Sequence, residues 1–306
     1  MTNLKKIGLT ALAGSLAAIG YAQAGSLSVN GTARMEYSTD SSSTTTTDAF
    51  AQNTSISFSG SGELDNGMNV SYFSLQSASA NSSSQSVALD MGDMGKVMMS
   101  NYNMAGIGMI QDKVPNGGEQ PWDDIGTHGA PEQGVASPHS GNRLGYSNTI
   151  GGATISAAMD YAQNSPTTSL AISMSPMEGF EVGAGIATDQ DTASTEQDIE
   201  TMYVKYTMGG ISVGYQTTEV DVTAANSDIE RTAYGISFAV NDNLSVGYGV
   251  SDTEFDATSL DEENVGIGIA YTSGGMKLGI INNTKDNAGG SAGADETTEL
   301  QLTFAF

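Results

Sequence analysis

Residues 265–271 spell Val-Gly-Ile-Gly-Ile-Ala-Tyr, and this alternation of large apolar residues with glycine or alanine decides the fold. Successive side chains of a β-strand point to opposite faces, so the stretch predicts a strand with one apolar face and one small or polar face. The same period of two recurs at residues 153–161, 234–240 and 244–250. We count sixteen such segments from Leu27 onwards, and the sequence therefore predicts an all-β protein.

The connections between these segments alternate strictly in length. The short ones carry Gly, Asn or Asp, the residues that tight hairpin turns need for positive φ angles. Short turns at one end and long loops at the other are typical of an even-stranded transmembrane barrel, which leaves no unpaired strand edge in hydrocarbon. We therefore predict a 16-stranded antiparallel transmembrane β-barrel. Its longer loops are predicted at residues 39–51, 79–84, 100–141, 163–167, 189–197, 220–229, 251–262 and 285–295.

The two faces of the predicted strands differ in chemistry. The face opposite the apolar residues is rich in Gly, Ser, Thr and Ala and also carries charges such as Arg34, Asp160 and Arg231. Sixteen strands enclose an interior wide enough for water, so we expect this face to line a wet lumen and the apolar face to contact lipid. Seven tyrosines near strand ends fit aromatic girdles at the membrane interfaces, with capping of a β-sandwich core as the alternative. They are Tyr37, Tyr146, Tyr161, Tyr206, Tyr215, Tyr234 and Tyr271.

The start of the chain is typical of a secretory signal peptide. Two lysines precede an apolar stretch at residues 7–20, and an Ala-Gln-Ala triplet follows. We predict a signal peptide at residues 1–24, with Ala22 and Ala24 directing cleavage, and a barrel domain at residues 25–306. A hydrophobic first core helix is the alternative. No later segment has 18 consecutive apolar residues, so the sequence predicts no membrane-spanning helix.

The composition is strongly acidic. Lys and Arg total 10 and Asp and Glu total 35, a formal net charge of −25. Lys5 and Lys6 belong to the predicted signal, which leaves 8 − 35 = −27 for the predicted barrel. This charge excludes nucleic acid as a partner, because phosphate binding needs clustered Lys and Arg. The chain has no cysteine, so it cannot use disulfides.

Several segments together resemble one known family. They are the signal sequence, the first strand at residues 27–35, the hairpin around residues 62–67 and the alternating residues 302–306. In these features the chain resembles the general Gram-negative porins, and more closely the porins of alphaproteobacteria. The resemblance implies a homotrimer of sixteen-stranded barrels in the outer membrane, each with a water-filled channel for passive diffusion of ions and small hydrophilic solutes. It also implies that an aromatic end, here Phe304 and Phe306, is recognised by the barrel assembly machinery.

The longest polar segment, residues 100–141, follows the fifth predicted strand. Four of the six prolines of the chain lie in it and limit its flexibility. A structureless segment of this length is unusual in a compact fold unless it is functional. In the porins a loop at this place folds into the barrel, so the resemblance implies a constriction loop; a mobile external loop is the alternative. Its acidic candidates for the pore constriction are Asp112, Glu119, Asp123, Asp124 and Glu132.

Two arginines are predicted to complete the constriction from the barrel wall. Arg34 and Arg143 share strand faces with small and polar residues. An arginine on the lipid side near the membrane midplane would cost about 2 to 4 kcal/mol, so we expect both in the lumen. We predict that they face the acidic loop; the alternative is that each only pairs with a nearby carboxylate such as Glu36 or Asp90. With acidic mouths, such a channel should favour cations.

The sequence predicts neither a catalytic centre nor a cofactor. The two histidines have no metal-ligand spacing, and no nucleophile or phosphate-loop motif occurs in a suitable context. Calcium at Asp123-Asp124 or at residues 261–263 stays open, because carboxylate clusters can supply its oxygen ligands. Two other classes of protein also stay open. One is a secreted or surface-attached acidic β-rich structural or adhesin protein, and the other is an outer-membrane enzyme on a smaller barrel.

Overall fold

The computed structural model describes residues 25–42, 45–77, 80–102, 105–121, 143–162, 165–192 and 195–306. Sixteen strands in these ranges form one closed barrel. They are β1 (Ser26–Ser42), β2 (Thr46–Glu63), β3 (Asn69–Ser77), β4 (Ala80–Asp90), β5 (Lys96–Ser100), β6 (Arg143–Ile150), β7 (Ala153–Ala162), β8 (Ser165–Met177), β9 (Phe180–Thr192), β10 (Thr195–Met208), β11 (Ile211–Val222), β12 (Ile229–Ala239), β13 (Leu244–Phe255), β14 (Glu262–Ser273), β15 (Met276–Asp286) and β16 (Ala294–Ala305). Short 3-10 turns lie at Gly92–Met94, Gly106–Ile110 and Ala288–Gly290.

The barrel closes between its first and last strands. Each strand pairs antiparallel with its neighbour in the chain, and β1 pairs with β16 in a register that sets Met35 opposite Leu302. The backbones of Gly31 and Phe306 exchange two hydrogen bonds, of 2.8 and 3.1 Å. A closed sheet has no free edge, so every strand can complete its backbone hydrogen bonds without water. The prediction of a 16-stranded antiparallel barrel is confirmed.

The outer and inner faces follow the predicted alternation. Ile155, Val213 and Phe238 keep 37%, 40% and 38% of their surface exposed on the outside. Their neighbours Ser156 and Asp160 are buried on the inside. A broad exposed apolar face is what hydrocarbon can cover, whereas water would leave it unstable. No helix in the described ranges is long and apolar enough to cross a membrane.

Several predicted loops are wrong in extent, because the strands continue through them. The segment at 39–51 is largely strand, with β1 running to Ser42 and β2 starting at Thr46. A membrane-spanning strand needs about 9 to 11 residues, and β1 and β2 have 17 and 18. Serine and threonine side chains link this extension across the strands, as in the 3.3 Å contact between Ser41 and Thr46. Polar strands can therefore extend beyond the apolar band as hydrogen-bonded ribbons, and polarity alone does not mark a loop.

Acidic residues face one another across the outer face of β10 to β13. Glu200 lies opposite Glu219, Glu219 lies opposite Glu230, and Glu230 lies opposite Glu254. All four side chains are exposed. Like charges directly opposite in a sheet are destabilising, by roughly 0.2 to 1 kcal/mol for a pair. Water and counterions reduce this repulsion, so the row is tolerable only outside the apolar band.

We expect Glu219→Gln to raise the urea concentration at the unfolding midpoint of the refolded barrel in low salt. The substitution removes the central charge of the row and therefore two repulsive neighbours. The gain should disappear near 1 M salt, where the Debye length is about 3 Å. Asp242→Asn is the matched control, because Asp242 lies in an exposed turn between two asparagines. Equal effects of the two substitutions, or a gain that persists in high salt, would contradict the cross-strand repulsion.

Candidate pore and its lining

Residues 105–121, the longer described part of the connection between β5 and β6, lie against the inner wall of the barrel. Ile107 and Ile110 are fully buried. They pack on inward side chains of four consecutive strands, β8 to β11, which are Ala171, Ala187, Ile199, Tyr203 and Val220. Burying an isoleucine contributes about 1.5 to 3 kcal/mol relative to exposure, so these two residues fix the segment on the wall. We call residues 105–121 the wall segment.

The backbone of the wall segment is hydrogen-bonded to side chains of the barrel. The N–H of Gly106 donates to Ser156 Oγ at 2.8 Å, and the N–H of Ile107 donates to Ser169 Oγ at 3.2 Å. The Nε2–H of Gln216 donates a hydrogen bond to the carbonyl of Ile110 at 3.0 Å. A buried backbone group without a partner would be costly, so these inward side chains make the irregular backbone acceptable inside the barrel.

Inward glycines let the wall segment approach the strands closely. A Cβ added to Gly247 would stand 2.5 Å from the carbonyl carbon of Asn116, and one added to Gly268 would stand 2.5 Å from the oxygen of Gly117. Such distances are too short for a side chain, so glycine is required at both positions. The alternation alone identified these glycines only as small residues of the wet face. Their repetition at inward positions of adjacent strands was the available signal of a close contact.

The charged residues of the wall segment meet charges of the barrel. Lys113 Nζ lies 3.3 Å from Glu181 Oε1 and 5.3 Å from the centre of the Tyr203 ring. Asp112 is exposed to the lumen and interacts with Gln120, Arg231 and Lys113. Partial burial raises the pKa of Asp112 above its usual 3.8, and these three neighbours oppose the rise. Arg231 was placed on the inner face by its sequence but was missing from the predicted constriction.

The predicted arginines both have carboxylate neighbours. Arg34 Nη2 lies 3.1 Å from Glu36 Oε2, as the alternative interpretation of the sequence anticipated. Arg143 Nε lies 4.0 Å from Asp160 Oδ2, because the β6–β7 register sets these two residues opposite each other. Arg143 is only 5% exposed, so its contact with a solute would be small.

The other predicted site residues divide between described and undescribed parts of the chain. Glu119 lies inside the barrel, where its carboxylate accepts a hydrogen bond of 3.1 Å from Gln301. Phe304 lies on the outward face of β16, and Phe306 is 79% exposed. Asp123, Asp124, Glu132, Ala22 and Ala24 lie outside the described residues.

A polar network occupies the inner wall of β12 to β15. Lys285 Nζ lies 3.7 Å from Glu262 Oε1, and Asn264 donates to the same oxygen at 2.9 Å. Arg231 donates to Ser251 at 3.2 Å. All five side chains are buried. Buried charges need partners, which this network supplies.

The alternation of β14 sends Glu262 inward, while Glu263 is exposed on the outside. Residues 261–263 therefore do not direct their carboxylates to one point, and the described ranges contain no cluster able to hold a metal.

All basic residues from residue 25 onwards lie inside the barrel. Seven occupy inward strand positions, and Lys113 lies in the wall segment. Strong exclusion of Lys and Arg from the lipid face explains this distribution. Within the described ranges, carboxylates lie within 4.0 Å of Arg34, Lys113, Arg143 and Lys285. The eight are Arg34, Lys96, Lys113, Arg143, Lys205, Arg231, Lys277 and Lys285.

Comparison with known proteins agrees with this geometry. A model of the Gram-negative porin family matches residues 8–305. The anion-selective porin from Comamonas acidovorans superposes with a TM-score of 0.71 at 13% identity, covering 92% of this chain and 100% of that one. The trimer form of OmpT from Vibrio cholerae gives 0.70 at 12% identity, covering 93% and 100%. A mutant of the Rh. blastica porin gives 0.65 at 14% identity, covering 92% and 100%. No protein of curated function matches the sequence.

We expect Gly268→Val to displace the wall segment, because its side chain would overlap the backbone of Gly117. Overpacking costs about 1 to 3 kcal/mol, which is roughly a 5- to 150-fold rise in the displaced population. Trypsin cleavage after Lys113 in the folded, membrane-embedded barrel should accelerate accordingly. Gly279→Val is the control, since its nearest neighbour would lie 3.7 Å away, an ordinary contact. Equal cleavage of both variants would contradict the role of glycine in this contact.

Proposed function

The chain belongs to the Gram-negative porin family and forms an outer-membrane channel, and we propose that this channel passes small hydrophilic solutes passively with a preference for cations. The observation that carries the preference is the distribution of charge. Residues 25–306 have a formal charge of −27, and basic residues such as Arg34, Lys113 and Lys285 lie next to carboxylates. A channel with acidic walls concentrates cations and repels anions.

The fold by itself does not determine which ions pass. A structural relative of the same architecture is described as anion-selective, so selectivity has to come from side chains rather than from the barrel. In this chain the inward acids near the extracellular end include Asp40 and Asp295. They would act on ions before these reach the wall segment, and salt would weaken their effect by shortening the Debye length.

The proposed constriction lies where the wall segment narrows the lumen. Asp112 and Glu119 would contribute acid from the segment, with Asp123, Asp124 and Glu132 continuing along the same connection. Arg34 would face them as a partly exposed cation, its side chain 34% accessible and paired with Glu36. Arg143 would act mainly by holding Asp160, because both are buried. No catalytic role is proposed for any of these residues.

We also propose a homotrimer assembled through the outward face of β1 to β3. Ala33 lies directly opposite Thr54, and Gln76 lies opposite Ile56, so polar and small residues interrupt the apolar band there. A glutamine side chain in hydrocarbon lacks partners, whereas a second subunit can supply them. OmpT of Vibrio cholerae, a relative in fold, is described in a trimer form.

Two proposals concern the path to the membrane. The signal peptide at residues 1–24 would be removed after Ala24, and Phe304 and Phe306 would present the aromatic signature recognised by the assembly machinery. Their outward position and the exposure of Phe306 are compatible with such recognition before the strand is placed in lipid. Calcium is not required by this proposal.

Reversal potentials across a KCl gradient should show excess K⁺ permeability for the purified protein in planar bilayers. The preference should fall as salt rises, because screening weakens the field of the acidic walls. It should also fall on acidification, beginning above the ordinary aspartate pKa. The reason is that burial raises the pKa of Asp112, so this lumen charge is lost at a higher pH than that of a free aspartate.

Asp112→Asn separates the contribution of this one carboxylate to the cation preference from that of the net charge of the whole channel. The variant should have a smaller cation preference at neutral pH and should lose less of that preference on acidification. Asp65→Asn, in an exposed turn, is the matched control and should leave both properties unchanged. Anion preference of the unmodified protein would overturn the proposed selectivity, and absence of any ion conductance would overturn the open channel.

A further inference from the structure

The inner wall of β1 to β5 contains a recess of about 420 Å³ that opens to the lumen. Ala105 of the wall segment packs against Ala88 and Met98 at one margin of the recess, and the rest of the recess opens to the lumen. The recess is lined mainly by serines, together with one lysine and an aromatic pair. The residues that define its chemistry are Ser59, Ser71, Phe73, Ser86, Lys96 and Tyr102.

The recess has unused hydrogen-bonding capacity. The hydroxyls of Ser59, Ser71 and Ser86 and the Nζ of Lys96 make no hydrogen bond to any residue in the described ranges. Each hydroxyl can donate one hydrogen bond and accept two, and an ammonium group donates three. Several donors and acceptors therefore converge on one small volume. Such a surface is complementary to a solute that carries many hydroxyl groups.

Phe73 supplies an apolar surface within this hydroxyl wall. The register sets Ser59 and Ser86 directly opposite Phe73 on its two sides. The Phe73 and Tyr102 rings are 6.0 Å apart with their planes inclined by 53°, which forms an aromatic corner. Inward apolar residues of β10 and β11 are covered by Ile107 and Ile110, whereas Phe73 faces the recess. Phe73 is partly exposed, and an aromatic ring exposed to water can gain free energy when a solute packs on it.

Together these features match a sugar ring. A pyranose has an apolar face of C–H groups, which can pack on an aromatic ring, and hydroxyl groups around its edge, which can bond to the flanking serines. The local charge favours a neutral solute, because Asp90 lies directly opposite Lys96 in the sheet. We propose that this recess is a binding site for neutral oligosaccharides on the path through the channel. The proposal rests on the proposed channel function in one respect: the site lies on a transport path only if the lumen is an open channel.

Maltotriose is the probe for this site. Ligand-observed saturation-transfer NMR with the folded, detergent-solubilised barrel should detect saturable binding of maltotriose. Phe73→Ala should weaken the apparent affinity by about tenfold or more, because it removes the surface on which the ring packs. Ser71→Ala combined with Ser86→Ala should also weaken it, which keeps the test available if Phe73→Ala fails to fold. Leu75→Ala is the matched control, since Leu75 is inward on the same strand but does not line the recess.

Three outcomes would overturn the proposal. They are the absence of saturable binding, equal affinity of the Phe73→Ala and unmodified proteins, and equal binding of a polyethylene glycol of similar size, which lacks the ring and its hydroxyls. KCl conductance measured on the same preparation separates this inference from the channel function. Conductance without maltotriose binding refutes the sugar site alone. Maltotriose binding without conductance leaves the site standing and refutes the open channel.

Discussion

A strand in hydrocarbon cannot leave its backbone N–H and C=O groups unpaired, and the rest of this structure follows from that constraint. The pairing of β1 with β16 removes the last open edge and makes the sheet a barrel. Closure of sixteen strands then creates an interior too wide for side chains alone to fill. The outer face must be apolar, as Ile267 and Ile269 are, while the inner face is free to carry water and charge.

The inner wall is divided into two parts with different chemistry. On β7 to β14 it carries the wall segment, which needs Gly247 and Gly268 for close approach and the Ser156 hydroxyl for its backbone. On β1 to β5 it carries a serine-rich recess, with Ala105 packed at its margin. The two sides of the lumen therefore present different surfaces. All the basic residues of the barrel also lie inside. The charged residues on the outer face of β10 to β13 are therefore acidic.

The sequence predicted local features well and distant contacts poorly. Alternation placed Ile267 outward and Gly268 inward, because a strand enforces a period of two. The pairing of Arg143 with Asp160 could also have been predicted, since both residues are equally far from the turn at residues 151–152. The contact of Gly268 with Gly117 could not be predicted from the sequence, because it depends on the path of an irregular segment across the barrel.

Strand extent was misjudged at residues 39–51 for a physical reason. Serine and threonine suit turns and water-exposed strands equally, so composition could not separate the two. The constriction itself stays a prediction. Asp112 and Glu119 lie inside the barrel, and Arg231 is among the groups that interact with Asp112, although no local pattern linked it to the segment.

The absence of cysteine allows the central claim, lipid outside and water inside, to be tested with single thiols. Ile267→Cys and Ser57→Cys lie at similar heights in the barrel, one outward and one inward, six residues from the end of β14 and β2 respectively. In intact membranes a charged, water-soluble maleimide should label Ser57→Cys rapidly and Ile267→Cys very slowly. Rapid labelling of Ile267→Cys with protection of Ser57→Cys would contradict the account, because it would put water on the apolar face and a dry core inside.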